Sequence, residues 1–431
     1  MLRPKASAGG ESRFGIKRLY RDAGSMATMT ASNAVLGMGF WGLAATLYPP
    51  AKLGVMTAVL AAVVSVGTVV AAGVGDAYTS LLPAVGKARS HLFRHGQRVF
   101  VGLAVLSGFG AAFATTKLLK EVRGSWAVGA LVTVGVVALA SVALQNSTLV
   151  SLGRARWLPA VNIALSLGKI LLLPLLAFTV SWHAVELSVV ISAIVSVLVV
   201  RRLIGRMIDA DDDLPEATMS EAPAARAFDR FVGQTTVSSA LSIGVFMVTP
   251  FLVTYFGGPA QGAVFALSLS IVQVLDLVGV AMSMSLVVHA SSAPEQAAAM
   301  ARAMMIRALL LVVVGGGVLV TLAPLILKII NPEYGSLGAT SIIAVLSGGS
   351  ILRTAYNVWS ALQRSRRKMV AQLLLNVSSA IILLAAMPFL CGSHGALGGA
   401  ISLILAESFL VAGVAGHYVI NRRRWGWTKN R

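Results

Sequence analysis

A charged side chain at the centre of a bilayer costs about 2.5 to 3.5 kcal/mol on insertion scales, so charges that persist inside apolar stretches mark where chemistry is done. Ser350, Arg353, Asn357, Ser360 and Arg364 recur at alternating intervals of three and four residues within one apolar segment. That spacing places all five on one helix face. Asn162, Ser166 and Lys169 repeat the pattern in an earlier segment, and Gln372, Asn376 and Ser379 repeat it in the segment after Arg353. Two of the three polar stripes therefore carry a cation at mid-depth. A guanidinium forks the oxygens of a phosphate and an ammonium adds a point charge, so together they suit a diphosphate or an acidic sugar in a water-filled cavity. The candidate substrate contacts are Arg353, Lys169, Asn357, Ser350, Asn162, Ser166, Gln273 and Asn376.

Two acids lie at comparable depth. Asp276 shares its face with Gln273 and Ser283, while Glu407 is surrounded at helical spacing by Leu403, Ile404, Leu410 and Val411. Each cation could simply pair with one of them. Asp276 stays open to three readings: partner of Arg353, coupling-ion site, or cavity lining. Glu407 reads as a lone acid that pairs with a neighbouring helix or stays protonated, and both acids are candidates for ion coupling. Asp76 reads as interfacial. His183, His289, His394 and His417 fall near segment ends without metal-ligand spacing, and Cys391 is the only cysteine, which excludes an intrachain disulfide. No metal, cofactor or catalytic group is called for.

The elements that must position these groups follow from composition. A chain of 431 residues with 57% hydrophobic and 12% charged residues and a mean hydropathy of +0.82 is a polytopic membrane protein. A bilayer core needs roughly 20 apolar residues per helix. The chain predicts an all-α fold of twelve spans: Gly24 to Tyr48, Gly54 to Ala84, Arg98 to Leu118, Trp126 to Val150, Trp157 to Val180, Ala184 to Ile204, Arg230 to Phe256, Gln261 to Ala290, Ala301 to Leu327, Gly338 to Leu362, Met369 to Leu390 and Gly395 to Ile420. Pro174 and Pro250 fall inside spans and are expected to kink them. Between the sixth and seventh spans lies an acidic, proline-bearing stretch with Asp209, Asp211, Asp212, Asp213, Glu216 and Glu221. Such a stretch can neither cross a bilayer nor bury a core.

The division is then a basic tail (1–23), a six-helix bundle (24–204), a connector (205–229), a second six-helix bundle (230–420) and a basic tail (421–431). No removable leader is read in the polar, basic start. A net charge of +19 would suggest nucleic acid in a soluble chain. Here 28 of the 35 basic residues collect on the side of the tails and the connector, against 5 on the other, so both termini are expected in the cytoplasm. No nucleic-acid partner is implied. The basic cluster Arg364, Arg366, Arg367, Lys368 and the tail Arg422 to Arg424 suit anionic lipid.

The two bundles look like copies. A shift of 208 residues lays Tyr48-Pro-Pro-Ala-Lys-Leu-Gly54 on Phe256-Gly-Gly-Pro-Ala-Gln-Gly262, and a shift of 210 lays Arg154-Ala-Arg156 on Arg364-Ser-Arg366. Six helices per copy keep the copies parallel, with a pseudo-two-fold axis along the membrane normal and a site between the halves.

The LYPPAKLG turn with its glycine-punctuated second helix, and the segment from Asn331 to Met369, NPEYGSLGATSIIAVLSGGSILRTAYNVWSALQRSRRKM, resemble the polysaccharide transporter (Wzx-like) branch of the multidrug/oligosaccharidyl-lipid/polysaccharide (MOP) exporter superfamily. The resemblance implies two parallel six-helix repeats around a central cavity that opens alternately to the two sides. It implies a multi-pass protein of the bacterial plasma (inner) membrane that flips a polyprenyl-diphosphate-linked saccharide, among membrane lipids and alongside polysaccharide polymerase and glycosyltransferase machinery. The lipopeptidoglycan-precursor flippases usually carry two further helices, absent here.

Two other functions compete. A cation-coupled drug exporter of the multidrug (MATE) type wants an anionic cavity, which two mid-depth cations oppose. A membrane glycosyltransferase, polymerase or ligase wants catalytic groups on sizeable outer loops, and these loops are short. No GxxxxGK[ST] phosphate loop is present, so the chain carries no ATP motor of that kind.

Overall fold

The computed structural model describes residues 8–82, 89–180, 183–209, 221–292, 297–365 and 370–421. Among them every regular element is helical. In chain order these are α1 (Ala8–Leu47), α2 (Pro50–Leu81), α3 (Arg89–Leu118), α4 (Trp126–Ser151), α5 (Leu158–Thr179) and α6 (Ala184–Asp209). Next comes α7, assembled from Glu221–Ser239, a π-helical turn Ala240–Gly244, Val245–Met247 and Thr249–Gly257. Then follow α8 (Pro259–Ser292), α9 (Ala297–Ile330) and, after a short turn of helix Pro332–Ser336, α10 (Ala339–Ser365). The last helix, Val370–Asn421, breaks at Gly395, whose φ of 54° only glycine adopts freely, into α11 (370–394) and α12 (396–421).

Local chemistry sets the starts. Pro50 opens α2 where its missing N–H costs nothing, and the Ser125 hydroxyl caps α4 by accepting from Val128 N at 3.3 Å. Asn331 caps Pro332–Ser336 by accepting from Glu333 N at 3.0 Å. Among the described residues eight helices are long and apolar enough to cross a membrane, and one of them is the bent pair α11–α12. The expected spans that fall short among the described residues are α1, α7 and α10. Ser, Thr and Gly interrupt α1, the π turn breaks α7, and polar residues stripe α10. Helices that line an interior lose hydropathy for that reason. Pro174 lies inside an unbroken α5, whereas Pro250 opens the last segment of α7.

Helices α1 to α6 pack on one another, chiefly α2 on α4, α3 on α4, α1 on α5 and α5 on α6. Helices α8 to α12 form a second group built on α10, and α1 and α2 join the groups by lying against α8. The first segment of α7 departs from its group to lie on α2 and α3.

At the end that carries the α1–α2, α7–α8 and α11–α12 turns, the groups share one apolar core. Phe40, Ala44 and Leu53 meet Val264, Leu327 and Ile343 there. A Cβ on Gly54 would stand 1.6 Å from the Pro259 carbonyl oxygen, so α2 and α8 touch backbone to backbone at this turn end. At the opposite, tail end, the Tyr78 and Phe228 rings meet in a tilted pair with centroids 5.6 Å apart, His95 Nε2 lies 2.8 Å from Asp229 Oδ1, and Thr235 Oγ1 donates to Gly73 O at 3.0 Å. The two groups are thus fastened at both ends. Residues 210–220 of the connector and the basic residues Arg366, Arg367, Lys368 and Arg422 to Arg424 lie outside the described residues.

Candidate functional site

Arg353, on α10, is held from two sides. Its Nη1 donates to Asp276 Oδ2 of α8, while its Nε, at 2.8 Å, and its Nη2 donate to Glu407 Oε1 of α12. Phe246, from the broken middle of α7, covers the guanidinium with its ring centroid 4.6 Å away. The carboxylate of Glu407 lies against Gly349, where a Cβ would come within 2.6 Å of Oε2. All three charged groups are largely buried. Two carboxylates face one guanidinium, and Asp276 Oδ1 and Glu407 Oε2 are buried with no hydrogen-bond partner among the described residues. Burying an ion cluster is worthwhile only when its partners all remain, because a lone charge left behind is strongly penalised.

Beside the cluster is a cavity of about 190 Å³ lined by Arg353, Tyr356, Asn357, Asn376, Glu407 and Phe246 among others. It lies between α7, α10, α11 and α12, within the second group. The Tyr356 hydroxyl donates to Asn376 Oδ1 at 2.6 Å, which fixes that amide toward α10.

A larger cavity of about 360 Å³ lies between the two groups. Phe40, Trp41, Thr57, Leu60, Leu165 and Lys169 line it from the first, and Phe246, Pro250, Ser270 and Gln273 from the second. Phe246 is the residue common to both linings, so its ring borders the ion cluster on one side and the inter-group space on the other. The Lys169 ammonium sits 5.1 Å from the Phe40 ring centroid, a cation–π contact. Among the described residues no carboxylate pairs with it, and no acid lines this cavity.

The expected contacts therefore divide. Arg353, Asn357 and Asn376 share one cavity with Glu407; Lys169 and Gln273 share the other; Asp276 reaches Arg353 from α8. Asn162 exchanges hydrogen bonds with Asn146 of α4 at 3.1 and 3.4 Å and also donates to Leu158 O at 2.9 Å, so it ties α5 to α4. Ser166 and Ser350 are buried and line neither cavity. Ser379 donates to Ala406 O at 3.1 Å and joins α11 to α12. The side chain of Arg364 lies outside the described residues.

Sequence reasoning missed Phe246, Asn146 and the His95–Asp229 pair. Pro250 was the signal near Phe246, since a proline four residues on announces an irregular helix. Nothing local announces Asn146 or His95, whose partners stand 16 and 134 residues away.

No protein-family model and no curated protein matches the sequence. Solved structures do match in shape. The structure described as lipid II flippase MurJ in an inward closed conformation aligns with a TM-score of 0.70 at 12% identity, over 91% of this chain and 86% of that one. An inward-facing multidrug resistance MATE family transporter of the MOP superfamily aligns at 0.63 with 16% identity, over 92% and 94%. A MOP superfamily transporter from Pyrococcus furiosus, described as having a binding pocket of reverse polarity, aligns at 0.61 with 14% identity, over 95% of each chain. With these likenesses spread over nearly the whole chain, the fold is that of the MOP superfamily transporters.

Proposed function

We propose that the protein is an alternating-access flippase that carries the anionic head of a lipid-linked oligosaccharide or polysaccharide precursor from the cytoplasmic to the outer face of a bacterial plasma membrane. The observation that carries the reading is Lys169: its ammonium faces the space between the groups with no acid beside it among the described residues, whereas Arg353 is already held by Asp276 and Glu407. An unpaired cation in a low-dielectric cavity attracts a phosphate far more strongly than one at a water-exposed surface. Gln273, Ser270 and Thr57 add neutral hydrogen-bonding groups around it. A volume of about 360 Å³ is near the small end of ligand sites, which run from about 300 to 1,000 Å³, and admits a head group only.

The charge cluster supports the competing drive, ion coupling: Asp276 and Glu407 outnumber the one guanidinium between them, so they are the candidate site for a coupling proton or cation, and Phe246 borders both that site and the inter-group cavity. The orientation, with both termini cytoplasmic, rests on the 28 to 5 distribution of basic residues. Glycosyltransferases that make the precursor and a polymerase that consumes it are the partners this direction requires. A drug exporter for cations is disfavoured because, among the described residues, no carboxylate lines the inter-group cavity while a lysine does.

The test is binding of inorganic diphosphate and a panel of lipid-linked oligosaccharides to the reconstituted protein. Lys169→Met should weaken binding by about 1.5 to 3 kcal/mol, the range for a charge-assisted hydrogen bond, and Lys169→Arg should keep most of it. Equal affinity for the Met variant and the parent would remove the anion site.

A further inference from the structure

On the outer side of α5 and α6 a groove of about 380 Å³ runs along Trp157, Ala160, Ala164 and Gly168 on one helix and Val195 and Val199 on the other. Ala160 and Ala164 are small and exposed at its floor, and Val195 and Val199 are exposed at its wall, so the groove opens toward the surrounding lipid. The Ser192 hydroxyl in its lining already donates to Ser188 O at 2.7 Å and asks nothing of an occupant. Leu165 lines both this groove and the inter-group cavity of Lys169, and it is the residue the two linings share. Lys169 is one helical turn from Leu165 on the same helix, and Gly168 brings α5 close to Ser192, so a single amphiphile can span both spaces by displacing one leucine side chain.

We propose that the α5–α6 groove holds the hydrocarbon chain of the transported amphiphile while its phosphate head is bound at Lys169. The inference rests on the anion site proposed above. It assigns the chain a place that a head-sized cavity cannot supply. Between Trp157 and Leu172 the groove follows α5 for roughly 22 Å at the helical rise per residue. Leu165 lies midway along it, so an anionic head enters there and the chain leads away along Ala164 and Ala160 toward Trp157 for roughly 12 Å, with the rest of an extended prenyl chain in the surrounding lipid.

The experiment uses the full protein in phosphatidylcholine vesicles with two photoreactive probes, a polyprenyl diphosphate and a phosphatidylcholine, each carrying a diazirine on the chain. The polyprenyl diphosphate is expected to label residues 157–172 and 192–203 preferentially, and the phosphatidylcholine to label lipid-facing helices without that preference. Ala164→Trp fills the groove at an exposed position and should cut prenyl labelling there by about tenfold, which is what about two methylenes of lost burial are worth. Leu171→Trp, at an exposed α5 position outside the groove, should leave it unchanged. Equal labelling by the two probes, or labelling indifferent to Ala164→Trp, overturns the groove. Inorganic diphosphate binding measured alongside separates the two ideas: if Lys169→Met abolishes it while groove labelling stays unspecific, the head site stands and the chain site falls; if Lys169→Met leaves it intact, the head site is the one that falls.

Discussion

Arg353 shows what a buried cation means when its neighbours are known. As a sequence feature it reads first as a phosphate ligand, with an ion pair as the alternative, and the geometry gives it two carboxylates at once. Arg353→Ala then leaves two buried acids facing each other and is expected to destabilise the protein by about 3 to 5 kcal/mol. Glu407→Gln leaves one cation with one acid and should cost clearly less. Thermal unfolding in detergent checks the order, and an Arg353→Ala protein as stable as the parent would mean that the acids are not held by it. The polar stripes were legible because three- and four-residue spacing is a property of one helix. Which stripe meets which was not, because Asp276, Arg353 and Glu407 come from three helices and their meeting depends on packing. For the same reason Asn162, read as a cavity group, is taken up by Asn146.

At the level of elements, the turns that the repeat identified are the ones that close the molecule. The α1–α2 turn and the α7–α8 turn, 208 residues apart in the alignment, meet at Gly54 and Pro259. A side chain at Gly54 must drive the helices apart, so Gly54→Val is expected to abolish closure of the turn end and with it transport. Accessibility of a cysteine at Leu53 to an impermeant reagent reads this directly, and unchanged protection would contradict it. The α5–α6 turn offers a pH test. His183, with its backbone in the left-handed region at φ 60°, lies 3.1 Å from the buried carboxylate of Glu186, and that hydrogen bond raises its pKa above the ordinary 6.5. A raised folded value means that the pair's stabilisation is complete below about pH 6.5 and is lost as pH climbs through the folded pKa. Unfolding temperature should therefore fall from about pH 6 to about pH 8 more steeply in the parent than in His183→Gln. Equal slopes would remove the pair from the account. Most span ends were legible to within about a turn, since each is an apolar run between polar signals, but α1, α3 and α7 begin 16, 9 and 9 residues before the expected Gly24, Arg98 and Arg230, because a helix continues past the apolar run into polar sequence. The break in α7 was not, because π-helical turns leave no compositional mark and only Pro250 hinted at it.

The whole molecule is fastened at both ends, through Gly54 and Pro259 at one and through His95, Asp229, Tyr78 and Phe228 at the other. The proposed alternating access requires these seals to open in turn, so a disulfide between His95→Cys and Asp229→Cys, in a background lacking Cys391, should stop transport and reduction should restore it. Orientation is checked in the same background: Ser181→Cys should react with an impermeant thiol reagent on intact cells and Asp212→Cys should not. The reverse pattern would invert the protein. The claim on which the rest depends is that an anionic head group crosses through the cavity of Lys169. Flipping of a lipid-linked oligosaccharide diphosphate in proteoliposomes, with a potential imposed negative on the cytoplasmic face and no sodium or proton gradient, measures it most directly. Each charge moved is worth about 2.3 kcal/mol per 100 mV. The account predicts that the potential accelerates outward flipping and that Lys169→Met abolishes the response. A rate indifferent to potential but driven by an ion gradient, with that dependence lost in Asp276→Asn and Lys169→Met without effect, would contradict it and make the protein an antiporter run by its ion cluster.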